Sequence, residues 1–268
     1  MSTAHQHGHD PLVELLAAEV SRKDLNGVRA LVKAGADVNA RKEGGAPIIW
    51  LATDDRILEL LVDAGGDINA RWDDVTMLHH AAMVDYDRVR LLLGHGADPN
   101  ARNAHGETPL FYAGSSGKAE IVELLIMNGA NIDVQRLDGW TTLHRVIIAR
   151  HYDAAEVLVR LGADLELREN IGMTPLIFAV NMYDLTKRDI LGLLITHGAD
   201  VNAPGSHSGW RPIHSAASHG SNELIRRLVD AGADLKARTE DGETAWDVAA
   251  RWGHAATAQL LHSLRSGI

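Results

Sequence analysis

The sequence has 268 residues, of which 46% are hydrophobic, enough to bury a sizeable core, and its formal net charge is −10. The absence of cysteine excludes a disulfide scaffold, a zinc finger and a thiol nucleophile. The acidic balance argues against DNA or RNA as the main partner. Because no run approaches the roughly 18 apolar residues of a membrane span, and residues 1–10 lack signal-peptide features, we expect a cytoplasmic protein that does not enter a membrane.

The chain begins with a histidine-containing head, which is followed by a first helix. We predict that residues 1–9 form a flexible head, in which His5, His7 and His9 alternate. These histidines either bind a metal weakly or belong to a disordered or appended tail. Asp10-Pro11 then supplies an N-cap and an N1 proline, so the first helix is predicted to begin there.

Two motifs then repeat with the same spacing. Gly-Ala-Asp, or a near copy, recurs every 30 to 36 residues, and its glycines are Gly35, Gly65, Gly96, Gly129, Gly162, Gly198 and Gly232. Thr-Pro-Leu-His, or a variant, keeps pace with it and begins at Ala46, Thr76, Thr108, Thr141, Thr174, Arg211 and Thr244. A period of this length is typical of a solenoid, in which each unit is stabilised by its neighbours.

Each part of the repeat has a physical interpretation. Threonine before proline is an N-cap before an N1 proline, which predicts a first helix in each unit. A second helix follows, as at 121–125, where apolar residues recur at helical spacing. The glycine of Gly-Ala-Asp ends that helix, because glycine adopts positive φ without steric cost. The next residues are predicted to form a turn closed by Asp138-Gly139 and its equivalents.

Together the motifs resemble the ankyrin repeat, from about Asp10 to about Ser266. The resemblance implies an all-α fold: an α-solenoid of stacked helix-turn-helix units with β-hairpin fingers, about eight units including caps. It also implies that His79, His144 and His214 are structural, bonding backbone and threonine hydroxyls between repeats. The expected units of a single domain over 10–268 are 10–41, 42–71, 72–102, 103–135, 136–168, 169–205, 206–238 and 239–268.

Three units depart from the regular length. The second is short because 53–56 replaces the usual turn, and the third is short around 84–86. The sixth is long, because 181–187 extends the turn between its helices and its finger at 204–209 has about one extra residue. These changes are either neutral variation in surface turns or contacts to a partner.

The resemblance implies that a partner lies in a groove between the finger tips and the exposed side of the first helices. The positions that map onto this groove are Trp72, Asp73, His105, Glu107, Leu137, Trp140, Met173, Met182, Tyr183, His207, Trp210, His219 and Trp252. Trp140, Met173 and Trp210 share one finger position, so they form either an apolar contact ridge or packing between repeats. Trp50 is expected to pack, and Trp246 is expected in the core because it replaces a motif leucine.

The charge distribution suggests what a partner offers. Six aspartates are expected near the groove in the second and third units, namely Asp54, Asp55, Asp73, Asp74, Asp85 and Asp87. They favour a partner protein with basic and apolar patches, or they make up an ordinary acidic surface. On its own the chain is expected to be a monomer.

The sequence carries no motif that points to catalysis, so we expect neither an enzyme nor a cofactor or resident metal. The leading hypothesis is a module that binds another protein in the groove, acting as an inhibitor or an immunity-type protein in its narrower form. A self-associating scaffold or assembly factor is the alternative. Metal or small-molecule binding through the histidines is a more remote one.

Overall fold

The computed structural model describes residues 10–183, 189–205 and 208–266. His5, His7, His9 and His207 therefore lie outside the described residues, as does most of the 181–187 insertion. The helices are α1 (Pro11–Arg22), α2 (Leu25–Lys33), a 3-10 helix (Ile48–Leu51), α3 (Asp55–Asp63), α4 (Met77–Ala81), α5 (Tyr86–Gly94), α6 (Pro109–Ser115), α7 (Ala119–Met127), α8 (Thr142–Ala149), α9 (Tyr152–Arg160), α10 (Pro175–Asn181), α11 (Ile190–Thr196), α12 (Pro212–Ser218), α13 (Asn222–Asp230), α14 (Ala245–Arg251) and α15 (Ala255–Ser266).

The helices alternate between two rows, which confirms the predicted solenoid. The first helices of successive pairs (α4, α6, α8, α10, α12 and α14) contact one another, and the second helices form a parallel series through α5, α7, α9 and α11. One hydrophobic core runs from α1 to α15 through every pair. Close approach between pairs requires small residues: a Cβ on Gly114 would lie 2.4 Å from Cγ2 of Thr142. Each pair therefore buries its apolar face against the next pair.

The predicted helix boundaries follow from local chemistry. Oγ1 of Thr108 and of Thr174 accepts the third backbone N–H of the following helix, and proline follows each threonine, where no N–H is needed. Several second helices begin at an aspartate or serine cap, for example Asp24 and Ser221. Gly129 follows the end of α7 with φ +89°, a conformation that L side chains rarely adopt.

The fingers are turns rather than extended hairpins. Within the described ranges their only β pairing consists of isolated bridges, joining Arg41 to Pro47, Trp72 to Val75 and Gly205 to Trp210. In the third unit the turn is one residue shorter, and both of its central residues, Asp73 and Asp74, have positive φ. Part of the shortness predicted for 84–86 therefore lies in this finger.

The second unit differs from the others in its first helix. The motif beginning at Ala46 forms only the 3-10 turn Ile48–Leu51, whose N-cap, Pro47, has no side-chain hydrogen bond. The predicted register of this motif is wrong by one residue: Pro47, not Ala46, takes the threonine position, and Trp50 therefore takes the position of the motif histidine. Its Nε1 donates to the carbonyl of Ala70 at 2.8 Å, so the expectation that Trp50 packs is confirmed.

The motif histidines join neighbouring pairs, as the resemblance implied. His79 is fully buried, Thr76 N donates to its Nδ1 at 3.2 Å, and its Nε2 faces the carbonyl of Glu107 at 3.2 Å. His144 repeats this arrangement with the carbonyl of Met173 in the following unit, and Nε2 of His214 faces the carbonyl of Ala237, just before the last unit begins. Because Nδ1 accepts an N–H, each ring is held neutral with its proton on Nε2. Burial also lowers the pKa of all three imidazoles.

An asparagine in the segment after Gly-Ala-Asp forms a second link between pairs, which sequence reasoning missed. Asn100 Nδ2 donates to the carbonyl of Gly129 at 2.9 Å, and its Oδ1 accepts from Asn131 N at 2.7 Å. Asn39, Asn69 and Asn202 make the same two bonds to the following unit. The recurrence of asparagine two residues after the motif aspartate was the available signal.

The last described pair changes both motif side chains. Asp247 replaces the histidine, and its Oδ2 accepts from Thr244 N at 2.8 Å and from Thr244 Oγ1 at 2.6 Å. These bonds lower the pKa of Asp247. The expectation that Trp246 is a core residue is wrong: the side chain is 43% exposed. In the other units the leucine of the motif is covered by the following helix pair. No helix pair follows α15 within the described residues, so Trp246 is left uncovered.

We expect Asn100→Ala to lower the free energy of unfolding by about 1–3 kcal/mol, since two hydrogen bonds between pairs are lost at roughly 1 kcal/mol each. Asn26→Ala is the matched control, because Asn26 is exposed on α2, and its effect should stay within about 0.5 kcal/mol. Urea unfolding followed by circular dichroism measures both. Equal destabilisation by the two substitutions would contradict the assignment of the asparagine link.

The three neutral histidines should make the protein sensitive to acid. Their folded-state pKa values lie below the unfolded value of about 6.5, so the unfolded chain binds more protons below that pH. Stability is therefore fully present above about pH 6.5 and is lost as the pH falls, by at most about 1.4 kcal/mol per pH unit for each histidine. Urea unfolding at a series of pH values measures this dependence. The free energy of unfolding should change less with pH for His144→Gln than for the control His105→Gln, which alters an exposed finger tip. Identical slopes would count against the neutral link.

Candidate protein-binding surface

The groove surface consists of the finger residues 71–75, 103–107, 136–140, 169–173 and 208–210 together with the exposed side of the first helices. Neighbouring tips are joined through their backbones: Leu137 N donates to the carbonyl of His105 at 3.1 Å, and Asn170 N donates to the carbonyl of Asp138 at 3.0 Å. The tips of the fingers at 103–107, 136–140 and 169–173 therefore form a bonded rim, and side chains on it are held at fixed spacing.

Side chains behind the tips hold the fingers in register. Arg41 donates to the carbonyl of Arg71 at 2.9 Å, and Arg71 donates to the carbonyl of Arg102 at 2.8 Å. Arg102 and Gln135 continue the series to the next two fingers. Guanidinium and amide groups that are used in this way stiffen the rim from behind and leave the tips to face solvent.

The most exposed predicted positions lie at finger tips and helix ends. Leu137 is 71% exposed and Trp252 is 59% exposed. His105 and His219 are also exposed, and Met182 lies at the end of α10 with its side chain open to solvent. These five can reach a partner without rearrangement of the fold.

Trp72 belongs to an aromatic cluster rather than standing alone. Its ring meets Trp50 edge to face, with centroids 5.5 Å apart, and Trp50 meets His80 in the same way at 5.3 Å. Trp72 remains 44% exposed, so one aromatic face is available while the other is fixed by packing. Asp73, at the adjacent tip, has no ion pair or hydrogen bond among the described contacts.

The remaining predicted residues are partly occupied by contacts within the fold. Glu107 forms an ion pair with Arg136 at 3.1 Å, and the guanidinium of Arg136 lies over the ring of Phe111. Tyr183 is half-buried, and its hydroxyl accepts from Arg227 at 2.8 Å. These contacts hold the side chains of Glu107 and Tyr183 in place within the surface.

Trp140, Met173 and Trp210 are half-buried and contact the core. Trp140 meets Phe178 edge to face with centroids 5.3 Å apart, and Trp210 tilts against His214 at 6.3 Å. Trp140 therefore packs against the next unit and Trp210 packs against its own unit, while a contact ridge formed by the three residues stays a prediction.

Most of the aspartates expected to be acidic surface are paired with arginine. Arg56 lowers the pKa of Asp54 by hydrogen bonding to its carboxylate, and Arg88 contacts Asp55. Arg71 and Arg90 lie near Asp74 and Asp87, at 3.5 and 3.7 Å. The second and third units therefore carry less unpaired negative charge than the sequence indicated, because three of these arginines lie two or three residues from their aspartates and Arg88 reaches Asp55 from α5.

Apolar side chains that were not predicted also reach the surface. Val84 is 72% and Ile171 54% exposed. Ile171 is at a finger tip next to Glu169, whose carboxylate accepts Ile171 N at 3.0 Å. Its position in the finger was the signal that could have identified it.

The described residues contain no group of three histidine or acidic side chains placed to hold a metal ion. Across the same part of the chain, no helix is long and apolar enough to span a membrane.

Comparison with known proteins decides the family. The family model for ankyrin repeats (3 copies) matches five overlapping segments, residues 4–103, 51–136, 85–169, 110–205 and 186–267. The chain belongs to the ankyrin-repeat family. The crystal structure of the ankyrin repeat domain of Bcl-3, described as a unique member of the IkappaB protein family, is similar to this ankyrin stack with a TM-score of 0.69 and 26% identity, over 92% of this chain and 97% of that one.

Relatives of known sequence match shorter stretches of the ankyrin stack. Human NF-kappa-B inhibitor zeta is 35% identical over 120 residues, 40% of this chain and 16% of that protein. Mouse protein phosphatase 1 regulatory subunit 12A is 44% identical over 61 residues, 23% of this chain and 6% of that protein. The putative E3 ubiquitin-protein ligase XBAT35 of Arabidopsis thaliana is 34% identical over 117 residues, 41% of this chain and 25% of that protein. The matched stretches thus span a quarter or less of each relative.

We expect Trp140 and Trp252 to differ sharply when replaced by alanine. Trp140→Ala should lower the free energy of unfolding by about 2–3 kcal/mol, since a half-buried indole is removed from the Phe178 contact. Trp252→Ala should change it by less than about 0.5 kcal/mol, because this side chain is mostly in solvent. Chemical denaturation measures both values. A neutral Trp140→Ala would show that the indole does not pack between repeats.

Proposed function

We propose that this ankyrin stack is a protein-binding module that holds a partner protein against the groove surface. The observation that carries the proposal is the placement of exposed apolar side chains on neighbouring fingers: Leu137 and Ile171 lie on fingers whose backbones are bonded tip to tip, and Trp72 lies on the finger at 71–75. Large apolar groups on a rigid frame lose little conformational entropy on binding, which is typical of interaction hot spots.

The comparisons support this class of function. Two relatives carry the names of an inhibitor and a regulatory subunit, and the Bcl-3 domain covers nearly the whole stack. We infer that the chain acts by occupying a surface of its partner, as an inhibitor does, and that it does so without catalysing a reaction. We place the partner contact at the groove positions predicted from the sequence, with the most exposed ones contributing most.

The chemistry of the surface favours a partner with an apolar patch, joined by a smaller basic one opposite Asp73. Because most other aspartates of the second and third units are paired with arginines, we assign the basic patch a minor share. The monomeric state of the free protein, its cytoplasmic location and the division into a head (1–9) and one domain (10–268) stay predictions. Light scattering after size exclusion tests the first of these.

Leu137→Asp is expected to weaken partner binding at least about tenfold, equivalent to about 1.4 kcal/mol, because a charge would enter an apolar contact. Met127→Asp is the matched control: Met127 is 76% exposed, close to the 71% of Leu137, but lies at the end of a second helix. A photo-crosslinking residue at 105 or 219 would capture the partner for identification by mass spectrometry. Calorimetry with the purified partner then compares the two variants, and equal affinities would refute the groove as the binding site.

A further inference from the structure

At some junctions between units the floor of the groove contains a pair of rings. There the residue in the motif-histidine position meets the residue one place further along in the next unit. His79 meets Tyr112 with ring centroids 5.2 Å apart, and His144 meets Phe178 at 5.4 Å. Aromatic rings therefore fill the space between neighbouring first helices at these junctions.

The junction between α10 and α12 lacks this filling. Ile177 stands in the histidine position and Ser215 in the place of Tyr112 or Phe178. Both substitutions reduce volume at one point, and a cavity of about 190 Å³ lies there, open between the two fingers. Met173 and Trp210, one from each finger, form its walls. Replacement of the ring pair by an aliphatic and a hydroxyl side chain accounts for the cavity.

The cavity lining sets the chemistry of an occupant. Every lining residue is uncharged: Met173, Ile177, Trp210, Asn181, Ser215 and Ser218, with Gly205 and Ser208 at the edge. A charged group entering here would lose hydration without meeting an opposite charge. A dry cavity of about 150 Å³ can hold benzene, so this one has room for one large apolar side chain.

One amide at the edge of the cavity, that of Asn181, can orient an occupant by hydrogen bonding. Asn181 Nδ2 makes only a long contact to Sδ of Met173, at 3.9 Å, and no described contact uses its Oδ1. Ser218 Oγ, in contrast, already donates to the carbonyl of Ser215 at 2.8 Å. The amide of Asn181 is therefore the group available to bond the backbone of an inserted segment.

We propose that this cavity is a specificity pocket of the binding surface, which receives one uncharged, large apolar side chain of the partner protein, such as Phe, Leu, Ile or Met. The proposal rests on the proposed function and narrows it. Asn181 bonds the partner's backbone beside the inserted side chain, while Met173 and Trp210 enclose it from both sides. A partner residue with a charged end is rejected at this point.

The test uses four probes in place of the unknown partner: N-acetyl-L-phenylalaninamide, N-acetyl-L-leucinamide, N-acetyl-L-lysinamide and N-acetyl-L-glutamic acid amide. The full chain carries isotope-labelled methionine methyl groups, and NMR follows Met173, with Met83 as an internal reference elsewhere on the surface. We expect the phenylalanine and leucine probes to shift Met173 with a Kd of about 1 mM, the range that fragments of this size reach. The lysine and glutamate probes should leave it unchanged.

Ser215→Phe places a ring in the pocket at the position that Phe178 occupies one unit earlier. It should weaken binding of the phenylalanine probe at least about tenfold. Glu120→Phe adds the same ring at an exposed second-helix position and should not change the Kd. If Ser215→Phe does not fold, Trp210→Ala, which removes one wall, replaces it and should weaken the probe similarly. Circular dichroism checks the fold of each variant.

Three results would overturn the pocket: no shift at Met173 with either apolar probe, equal shifts with all four probes, or an unchanged Kd in both pocket variants. If any of these occurs while Leu137→Asp still weakens the identified partner, the pocket is wrong and the proposed function stands. If Leu137→Asp has no effect while Met173 responds as expected, the pocket binds small apolar groups and the groove assignment fails.

Discussion

Each helix pair depends on hydrogen-bond partners that only the following pair supplies. A buried imidazole such as His79 costs free energy unless both of its nitrogens are bonded. One bond comes from its own helix cap and the other from a carbonyl about 28 residues ahead. Apolar burial supplies most of the stabilisation between pairs, but it has no direction. The bonded histidines and asparagines fix the rotation and spacing of the stack.

The same constraint separates the residues that hold the stack from those that can face a partner. The motif histidines, the linking asparagines and the arginines behind the finger tips use their side chains to bond carbonyls of the next unit. These positions therefore cannot vary freely. The tips at 103–107, 136–140 and 169–173 are linked through backbone atoms, so a tip side chain that makes no link of its own is not needed to hold the stack. Leu137 illustrates this, because its backbone joins two neighbouring fingers while its side chain is mostly in solvent.

Much of the fold could be predicted from the sequence because the repeated motifs mark where the helices of each unit begin and end. Threonine caps and helix-ending glycines act within a few residues, and their positions agree with the helix ends. Trp246 was misjudged because its burial depends on a following pair, not on its place in the motif. The pairing of Asp55 with Arg88 could not be predicted either, since it joins residues 33 apart on two different second helices, α3 and α5.

The candidate site shows the same limit. Sequence position identifies which residues border the groove, as with Trp140 and Trp210, but not how much of each is used in packing. That share depends on the residue opposite: Phe178 faces Trp140 from the next unit, whereas Ser215 stands at the corresponding place for Met173. A groove built from near-identical units therefore becomes specific through differences at single junctions. Loss of the ring pair at the α10–α12 junction creates a recess and also removes the histidine link, since Ile177 has no nitrogen, while the asparagine link from Asn202 to Gly232 and Asp234 still joins the two units.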